Sequence, residues 1–400
     1  MIKNKVVFFL MLATIISFLA ACDKILPKAP ADDELLDGPI AGLSNSQSLQ
    51  HLRGDEAFNG EIFTSETGLG PLFVATSCGG CHAGDGKGHI FTTLTRFGQT
   101  DSTGNKFLDQ GGPLLQNRAL PGFIPEHLPI GATSTKLTAP IVTGLGYLAL
   151  ISDADILAMA DPNDANGDRI SGVPNWSTIP SYVKPRPDAI VQNGKYINRF
   201  GKKASVYNLL QQTVNAYNQD IGITSIFNPL DTWSLLNIEP EVSTNKINDV
   251  VFYLETLKAP IQRNQNDPDV KQGQLIFMQI GCSSCHKPDQ KTSFSEIEAL
   301  SNKEFHPYTD LLLHNMGSDL DDGYTEGSAK TYEWRTPTLW GLGLAPQSQG
   351  GQYFLLHDGR AKSIEEAISF HGGEAGGKRN NYYNLSESDR KKLITFLKSL

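Results

Sequence analysis

Two stretches of five residues constrain this chain most, Cys78-Gly79-Gly80-Cys81-His82 and Cys282-Ser283-Ser284-Cys285-His286. Both have the Cys-x-x-Cys-His pattern of c-type haem attachment. Two thiols three positions apart can bond one porphyrin edge, and the adjacent imidazole can then ligate the iron. A zinc site would need four ligands from one neighbourhood, and no nearby Cys or His pair completes either stretch. The sequence therefore predicts two covalently bound c-type haems, with His82 and His286 as iron ligands.

The fifth cysteine, Cys22, ends an N-terminal segment of a different kind. Lys3 and Lys5 precede an apolar run from Val6 to Leu19, and small residues follow up to Cys22. Residues 1–21 therefore resemble a bacterial lipoprotein signal peptide, and Cys22 would be the acylated first residue of the mature chain. An ordinary signal peptide with an incidental cysteine is the alternative. We expect a protein exported to the periplasmic side of a bacterial membrane and held there by lipid.

Composition and charge bound the rest of the chain. Four hundred residues with 39% apolar content are enough for two compact domains. The net charge of −9 argues against a nucleic-acid partner, because phosphate binding needs a basic face. Residues 22–50 are polar and predict a tether. We place an N-terminal domain at 51–262 and a C-terminal domain at 263–400.

An internal repeat accompanies the two haem motifs. Ala139–Gly146 and Thr336–Gly343 both contain a Pro followed four residues later by Gly-Leu-Gly. A helix is predicted on the approach to each haem motif, at 70–73 and at 273–277. These correspondences predict a duplicated chain in which each half carries one haem.

Each half is also predicted to end in a helix. Ser243–Leu257 has apolar residues at helical spacing, and the C-terminal segment begins with Ser386 and Asp389 at the spacing of a capping box. The first of these helices should stop before Pro260, which cannot donate a hydrogen bond to the helix ladder.

Five segments carry a resemblance to a known family: Phe73–Gly84, Asp161–Asn175, Tyr308–Gly317, Glu333–Gly343 and Leu356–Ala375. They resemble the bacterial di-haem cytochrome c peroxidase superfamily and, within it, the branch called di-haem oxidoreductase, putative peroxidase. The resemblance implies a mainly α-helical fold with two cytochrome-c-like domains that face each other. It also implies an electron path between the two haems.

The resemblance further implies a sixth ligand for the C-terminal haem. In the superfamily a His-x-Gly segment is followed fourteen positions later by this ligand, often Met. Here His357-Asp358-Gly359 leads to His371, at the end of a predicted helix that Gly372 would break. We therefore predict His371 as the second histidine on this iron, with Met316 as the alternative. Replacing a thioether by an imidazole lowers the potential of a haem.

The first half offers no equivalent ligand. The matching position falls near Met159 or Ala160, whereas His89 lies in a Gly-rich loop and His127 in a Pro-rich loop. We expect an open or water-bound iron at the N-terminal haem, with a labile ligand from one of these side chains as the alternative. An open iron is what peroxide binding needs.

Peroxidase turnover also needs a side chain that moves a proton near the open iron. The resemblance leads us to expect a Glu soon after the first Gly-Leu-Gly, but the sequence has Tyr147-Leu148-Ala149-Leu150 there. No catalytic residue can therefore be assigned from the sequence. His127, Glu126 and Tyr147 are candidates that structural roles explain more readily.

The stretch Asp161–Asp168 offers oxygen ligands at alternate positions. Asp164, Asn166 and Asp168 match positions 1, 3 and 5 of a calcium loop. Arg169 stands where an EF-hand has Gly, so the prediction is a looser calcium turn. An Asx-rich turn held by its own side chains is the alternative.

These observations predict an exported di-haem c-type oxidoreductase of the peroxidase kind. Electrons would enter from a small redox protein or a quinol-linked donor and pass through the C-terminal haem to the N-terminal haem. Hydrogen peroxide or another oxidant would be reduced there. The alternatives are a non-enzymatic di-haem electron carrier and a haem oxidase that modifies a partner protein.

Overall fold

The computed structural model describes residues 30–400. The predicted signal segment 1–21 and the predicted lipidation site Cys22 lie outside these residues, as does the first part of the predicted tether 22–50. Two units are distinguished, Met1–Leu35 and Leu36–Leu400, and the second contains both Cys-x-x-Cys-His motifs. Within the described range, no helix is long and apolar enough to cross a membrane.

Ten α-helices lie in the described residues. They are α1 Asn45–Asp55, α2 Leu145–Ala149, α3 Asp153–Met159, α4 Leu209–Asn215, α5 Thr244–Thr256, α6 Pro268–Gln279, α7 Ala345–Ser348, α8 Ile364–Ser369, α9 Gly376–Tyr383 and α10 Glu387–Ser399. The predicted helices at the ends of the two halves are confirmed as α5 and α10. Ser386 caps α10 as predicted, because its hydroxyl accepts a hydrogen bond from the Asp389 amide at 3.1 Å.

Short antiparallel strands form five small sheets in the same range. The strands are β1 Leu72–Phe73, β2 Leu94–Phe97, β3 Arg118–Ala119, β4 Ser134–Leu137, β5 Trp176–Ser177, β6 Val191–Gln192, β7 Lys195–Ile197, β8 Gln290–Lys291, β9 Glu304–Phe305, β10 Leu313–Asn315 and β11 Glu333–Arg335. The pairs are β1–β3, β2–β4, β8–β9 and β10–β11, and the three-stranded sheet has the order β5-β7-β6.

The prediction of a mainly α fold is wrong. Only about 33% of the described residues are helical, and 11% are in strands or bridges. The structure does not show duplicated cytochrome-c-like domains either. The segment before the first haem motif, predicted as a helix, contains β1, whereas the segment before the second lies in α6. The physical reason is the chain's 38 Gly and 22 Pro, which favour turns and irregular loops over long helices.

Two helix pairs come into direct backbone contact at glycines. Helix α1 crosses α5 at Gly54, and α6 crosses α10 at Gly273. A Cβ at Gly273 would overlap the carbonyl oxygen of Lys392 and lie 2.6 Å from the Cβ of Phe396. The helices can therefore approach this closely only because neither position carries a side chain.

Two large apolar clusters surround the two haem motifs. The first draws on residues 58–257 and includes Phe305, Leu311, Leu312 and Trp340 from the C-terminal half. The second combines α6, α8 and α10, with Phe277, Ile364 and Leu393 in its centre. The predicted division into domains at 51–262 and 263–400 stays a prediction.

We predict that Gly273→Ala destabilises the protein by about 1–3 kcal/mol through overpacking against α10. Helix propensity alone would favour Ala by about 1 kcal/mol. Gly377→Ala in α9 is the matched control, since a Cβ there meets nothing within 4 Å. Denaturant unfolding followed by circular dichroism measures both. Equal stability of the two variants would contradict the close helix contact.

Candidate haem site

Both Cys-x-x-Cys-His motifs line one cavity. Cys78, Cys81 and His82 contribute to its wall, and so do Cys282, Cys285 and His286. Apolar side chains of both clusters complete the wall, including Phe58 and Leu254 from the first, and Phe277 and Leu393 from the second. The structure therefore brings together the six residues that the sequence predicted to attach and ligate the haems.

Each motif folds into a single tight turn. The amide of His82 donates to the carbonyl of Cys78 at 3.0 Å, and the amide of His286 donates to that of Cys282 at 3.1 Å. The turn places the two thiols and the imidazole on one short segment. Among the described cysteines, all four thiols are free, so they are available for thioether bonds.

The imidazoles of both motifs are held in the tautomer that iron ligation requires. Nδ1 of His82 lies 2.9 Å from the carbonyl oxygen of Pro140, and Nδ1 of His286 lies 2.9 Å from that of Tyr308. A carbonyl only accepts, so Nδ1 donates and Nε2 keeps its lone pair for a metal. Burial lowers the pKa of both histidines to about 4, which keeps them neutral at pH 7.

His371 lines the same cavity at the end of α8. Its Nδ1 lies 2.8 Å from the carbonyl oxygen of Ala367, so its Nε2 is also left with a lone pair. The pKa of His286 is lowered mainly by burial and secondly by the charge of His371. The two imidazoles are therefore near each other. Met316, the alternative ligand, lines the cavity as well.

None of the ligands considered for the first haem lines the cavity. His89 accepts a hydrogen bond from the Phe91 amide, and His127 is exposed. Gln290 donates to the sulfur of Met159 at 3.2 Å. The sequence-based candidates for proton transfer lie outside the cavity wall too.

A carboxylate that sequence reasoning missed does line the cavity. Asp220 ends a π-turn, Ala216–Asp220, that continues α4, and its side chain accepts no hydrogen bond from the described residues. Burial raises its pKa to about 7, opposed by the charge of Arg96. The pKa values of Cys78 and Cys81 are both raised, mainly by burial and secondly by the negative charge of Asp220. Asp220 therefore lies near the first haem motif, and no local sequence pattern marks it.

Positive charge is concentrated in the cavity of this acidic protein. Six lysine and arginine side chains line it, against the two acids Asp220 and Glu326. Burial lowers the pKa of Lys202 to about 7 and that of Arg335 to about 10. The buried Thr213 and Tyr217 hydroxyls and the Trp340 indole nitrogen have no hydrogen-bond partner among the described residues, and all three residues line the cavity. Two haems, with four propionates, would supply the missing anions and acceptors.

Comparison with known proteins agrees with this chemistry. Residues 132–234 and 231–400 match the family described as "Di-haem oxidoreductase, putative peroxidase", which covers about two thirds of the chain. The chain belongs to the di-haem oxidoreductase family. Haem cofactors and oxidoreductase chemistry follow from this membership.

Two further comparisons add little for this di-haem oxidoreductase. A solved chain of Kuenenia stuttgartiensis hydrazine synthase under xenon pressure is 14% identical, with a TM-score of 0.41. The alignment covers 94% of this chain and 98% of that one. At this level of similarity it indicates nothing about function. No curated protein matches the chain.

In the predicted calcium turn, the side-chain oxygens accept hydrogen bonds from main-chain amides of the same loop. Asp164 accepts a hydrogen bond from the Arg169 amide, Asn166 from the Asp168 amide and Asp168 from the Ile170 amide. These bonds are those of an Asx-rich turn. Calcium binding by Asp164, Asn166 and Asp168 stays a prediction.

We predict that Lys202→Met lowers the potential of the first haem by tens of millivolts, because a buried cation favours the reduced state. Burial is the main cause of the lowered pKa of His82, and the positive charge of Lys202 lowers it further. Lys202 therefore acts on the ligand predicted for the first haem. Exposed Lys303 provides the control variant Lys303→Met. Optical redox titration at pH 6, below the pKa of about 7 for Lys202, measures the shift. An unchanged potential in Lys202→Met would contradict the placement of this charge.

Proposed function

We propose that this di-haem oxidoreductase is an exported, lipid-anchored peroxidase with covalently attached haems. Electrons from a small redox protein or a quinol-linked donor pass through the C-terminal haem to the N-terminal haem, and hydrogen peroxide is reduced there. Each peroxide takes two electrons from the donor and two protons, and yields two waters. When bound, the haems supply the redox-active iron.

One observation carries the proposal: the two motifs face one cavity, but their surroundings differ. A second imidazole, His371, stands near His286. The first motif has Asp220 beside it instead, and no His or Met of the candidate set. This asymmetry supports oxidant binding at the first site and electron transfer through the second.

Asp220 is the residue we assign to proton transfer. Its carboxylate accepts the proton of bound peroxide and returns a proton to the oxygen that leaves as water. A pKa of about 7 suits both halves of this exchange at neutral pH. In this proposal Asp220, at the end of the π-turn after α4, takes the role of the Glu that is absent after the first Gly-Leu-Gly.

Arg96 is a fixed cation whose charge lowers the pKa of this carboxylate. Its guanidinium contacts Glu326 at 2.5 Å, Tyr324 at 3.3 Å and Gln219 at 3.1 Å. Gln219 directly precedes Asp220, so Arg96 also anchors the π-turn that carries the carboxylate. A rigid cation near the oxidant stabilises the negative charge that develops on peroxide oxygen.

Export and the lipid anchor rest on the sequence of residues 1–22. We propose that Cys22 carries the lipid, which would keep the enzyme on the periplasmic side of the membrane near its electron donor. Cys22→Ser should release active enzyme into the soluble periplasmic fraction, and retention in the membrane fraction would contradict the anchor.

We predict that Asp220→Asn lowers peroxide turnover at pH 7 by about 10²–10⁴-fold. The base must be deprotonated to accept the proton of peroxide, so wild-type activity should fall as the pH drops below about 7. The variant should lose this inflection. The measurement is peroxide consumption with a reduced small c-type cytochrome as donor.

The control for this experiment is Glu126→Gln. Burial raises the pKa of Glu126 to about 7 as well. Its carboxylate lies outside the cavity wall and accepts a hydrogen bond from the main-chain amide of Gln116. Its variant should keep wild-type turnover. Wild-type protein that consumes no peroxide above the rate of free haem would instead favour the electron carrier.

A further inference from the structure

His314 is held between two carboxylates in the interior. Its side chain, in β10, is only 3% exposed; Nε2 lies 2.9 Å from Asp310 and Nδ1 lies 2.9 Å from Glu374. Ionised carboxylates only accept, so both ring nitrogens donate and the imidazole is a cation. Burial alone would lower its pKa, but Asp310 and Glu374 raise it well above the ordinary value.

Glu374 receives four hydrogen bonds. The donors are His314 Nδ1 at 2.9 Å, the Ser171 amide at 3.0 Å, the Ser171 hydroxyl at 2.6 Å and the Asn315 amide at 3.2 Å. Burial opposes ionisation, yet these donors lower the pKa of Glu374 to about 2. The carboxylate thus joins three segments: the loop after α3, strand β10 and its own turn.

The segment from His371 to Glu374 packs against the last residue of β10, Asn315, and the next residue, Met316. A Cβ at Gly372 would come 2.8 Å from the carbonyl oxygen of Met316, and one at Gly373 would overlap that of Asn315. The two glycines therefore allow backbone-to-backbone contact. Glu374 is hydrogen-bonded at one end of this segment, and α8 lies at the other end. The position of His371 is therefore restricted from both sides.

We propose that His314 and Glu374, with Asp310 behind them, form a clamp that positions His371 as the sixth ligand of the C-terminal haem. The inference rests on the proposed function and on the ligand role that the sequence predicts for His371. Nδ1 of His314 also lies 3.6 Å from the sulfur of Cys285. One imidazole thus touches both the haem-attachment motif and the segment that bears the second ligand, and fixes one relative to the other.

A metal ion is the competing use for part of this cluster. Cys285, Asp310 and His314 have ligand atoms within 4.8 Å of one another. Both nitrogens of His314 already donate to carboxylates, however, and the sulfur of Cys285 belongs to the haem motif. A metal would need both the histidine and the thiol, so the clamp accounts better for this geometry.

Carbon monoxide binding to the reduced protein tests the clamp. A haem with two histidines binds carbon monoxide slowly, because one imidazole must dissociate first. We predict that Glu374→Gln and His314→Gln accelerate this slow phase at least tenfold. His306→Gln is the matched control, since His306 pairs with Asp289 at 2.8 Å on the surface, and its slow phase should keep the wild-type rate.

Three further results decide the interpretation. Wild-type slow-phase rates in both clamp variants, with the slow phase lost in His371→Ala, overturn the clamp but keep the ligand. A wild-type slow phase in His371→Ala overturns the ligand, and the clamp with it. Should the clamp variants fail to retain haem, Ser171→Ala removes one donor from Glu374. A several-fold acceleration then supports the clamp, and an unchanged rate overturns it.

Discussion

The structure depends on filling one cavity. Two apolar clusters, one around each haem motif, both contribute side chains to its wall. Protein interiors are close-packed, and an unfilled apolar space of this kind is costly. Haem is the group that the motifs attach and that such a wall would pack against. In this interpretation the cofactors complete the two cores as well as supplying the chemistry.

The cavity must also neutralise the charge of the haems that we expect it to bind. A haem brings carboxylates into the interior, and buried charges are tolerated only when they are paired. The protein is acidic as a whole, yet cations predominate on the cavity wall. Burial disfavours the charged forms of both Lys202 and Arg335, and the charge of Arg335 lowers the pKa of Lys202 further. A bound anion would stabilise both cations. The same wall separates two environments: a carboxylate beside the first motif, and a clamped imidazole beside the second.

The sequence was informative where short spacings determine local structure. The haem motifs, the ends of α5 and α10, the placement of His371 and the family were all accessible from it. The prediction of a mainly α fold failed because the spacing of the motifs carries no information about the loops that connect them. In those loops Gly and Pro favour short strand pairs such as β1–β3. Asp220 and the partners of His314 were missed because tertiary folding brings them together. His314 and Glu374 are 60 residues apart, and no local pattern links them.

Covalent haem content is the most direct check on this interpretation. The protein is purified and denatured, and the pigment that stays with the polypeptide is quantified by absorbance and by intact mass. We expect two haems per chain, both surviving denaturation. A colourless polypeptide, or pigment that separates on denaturation, would contradict the attachment of haem at Cys78, Cys81, Cys282 and Cys285.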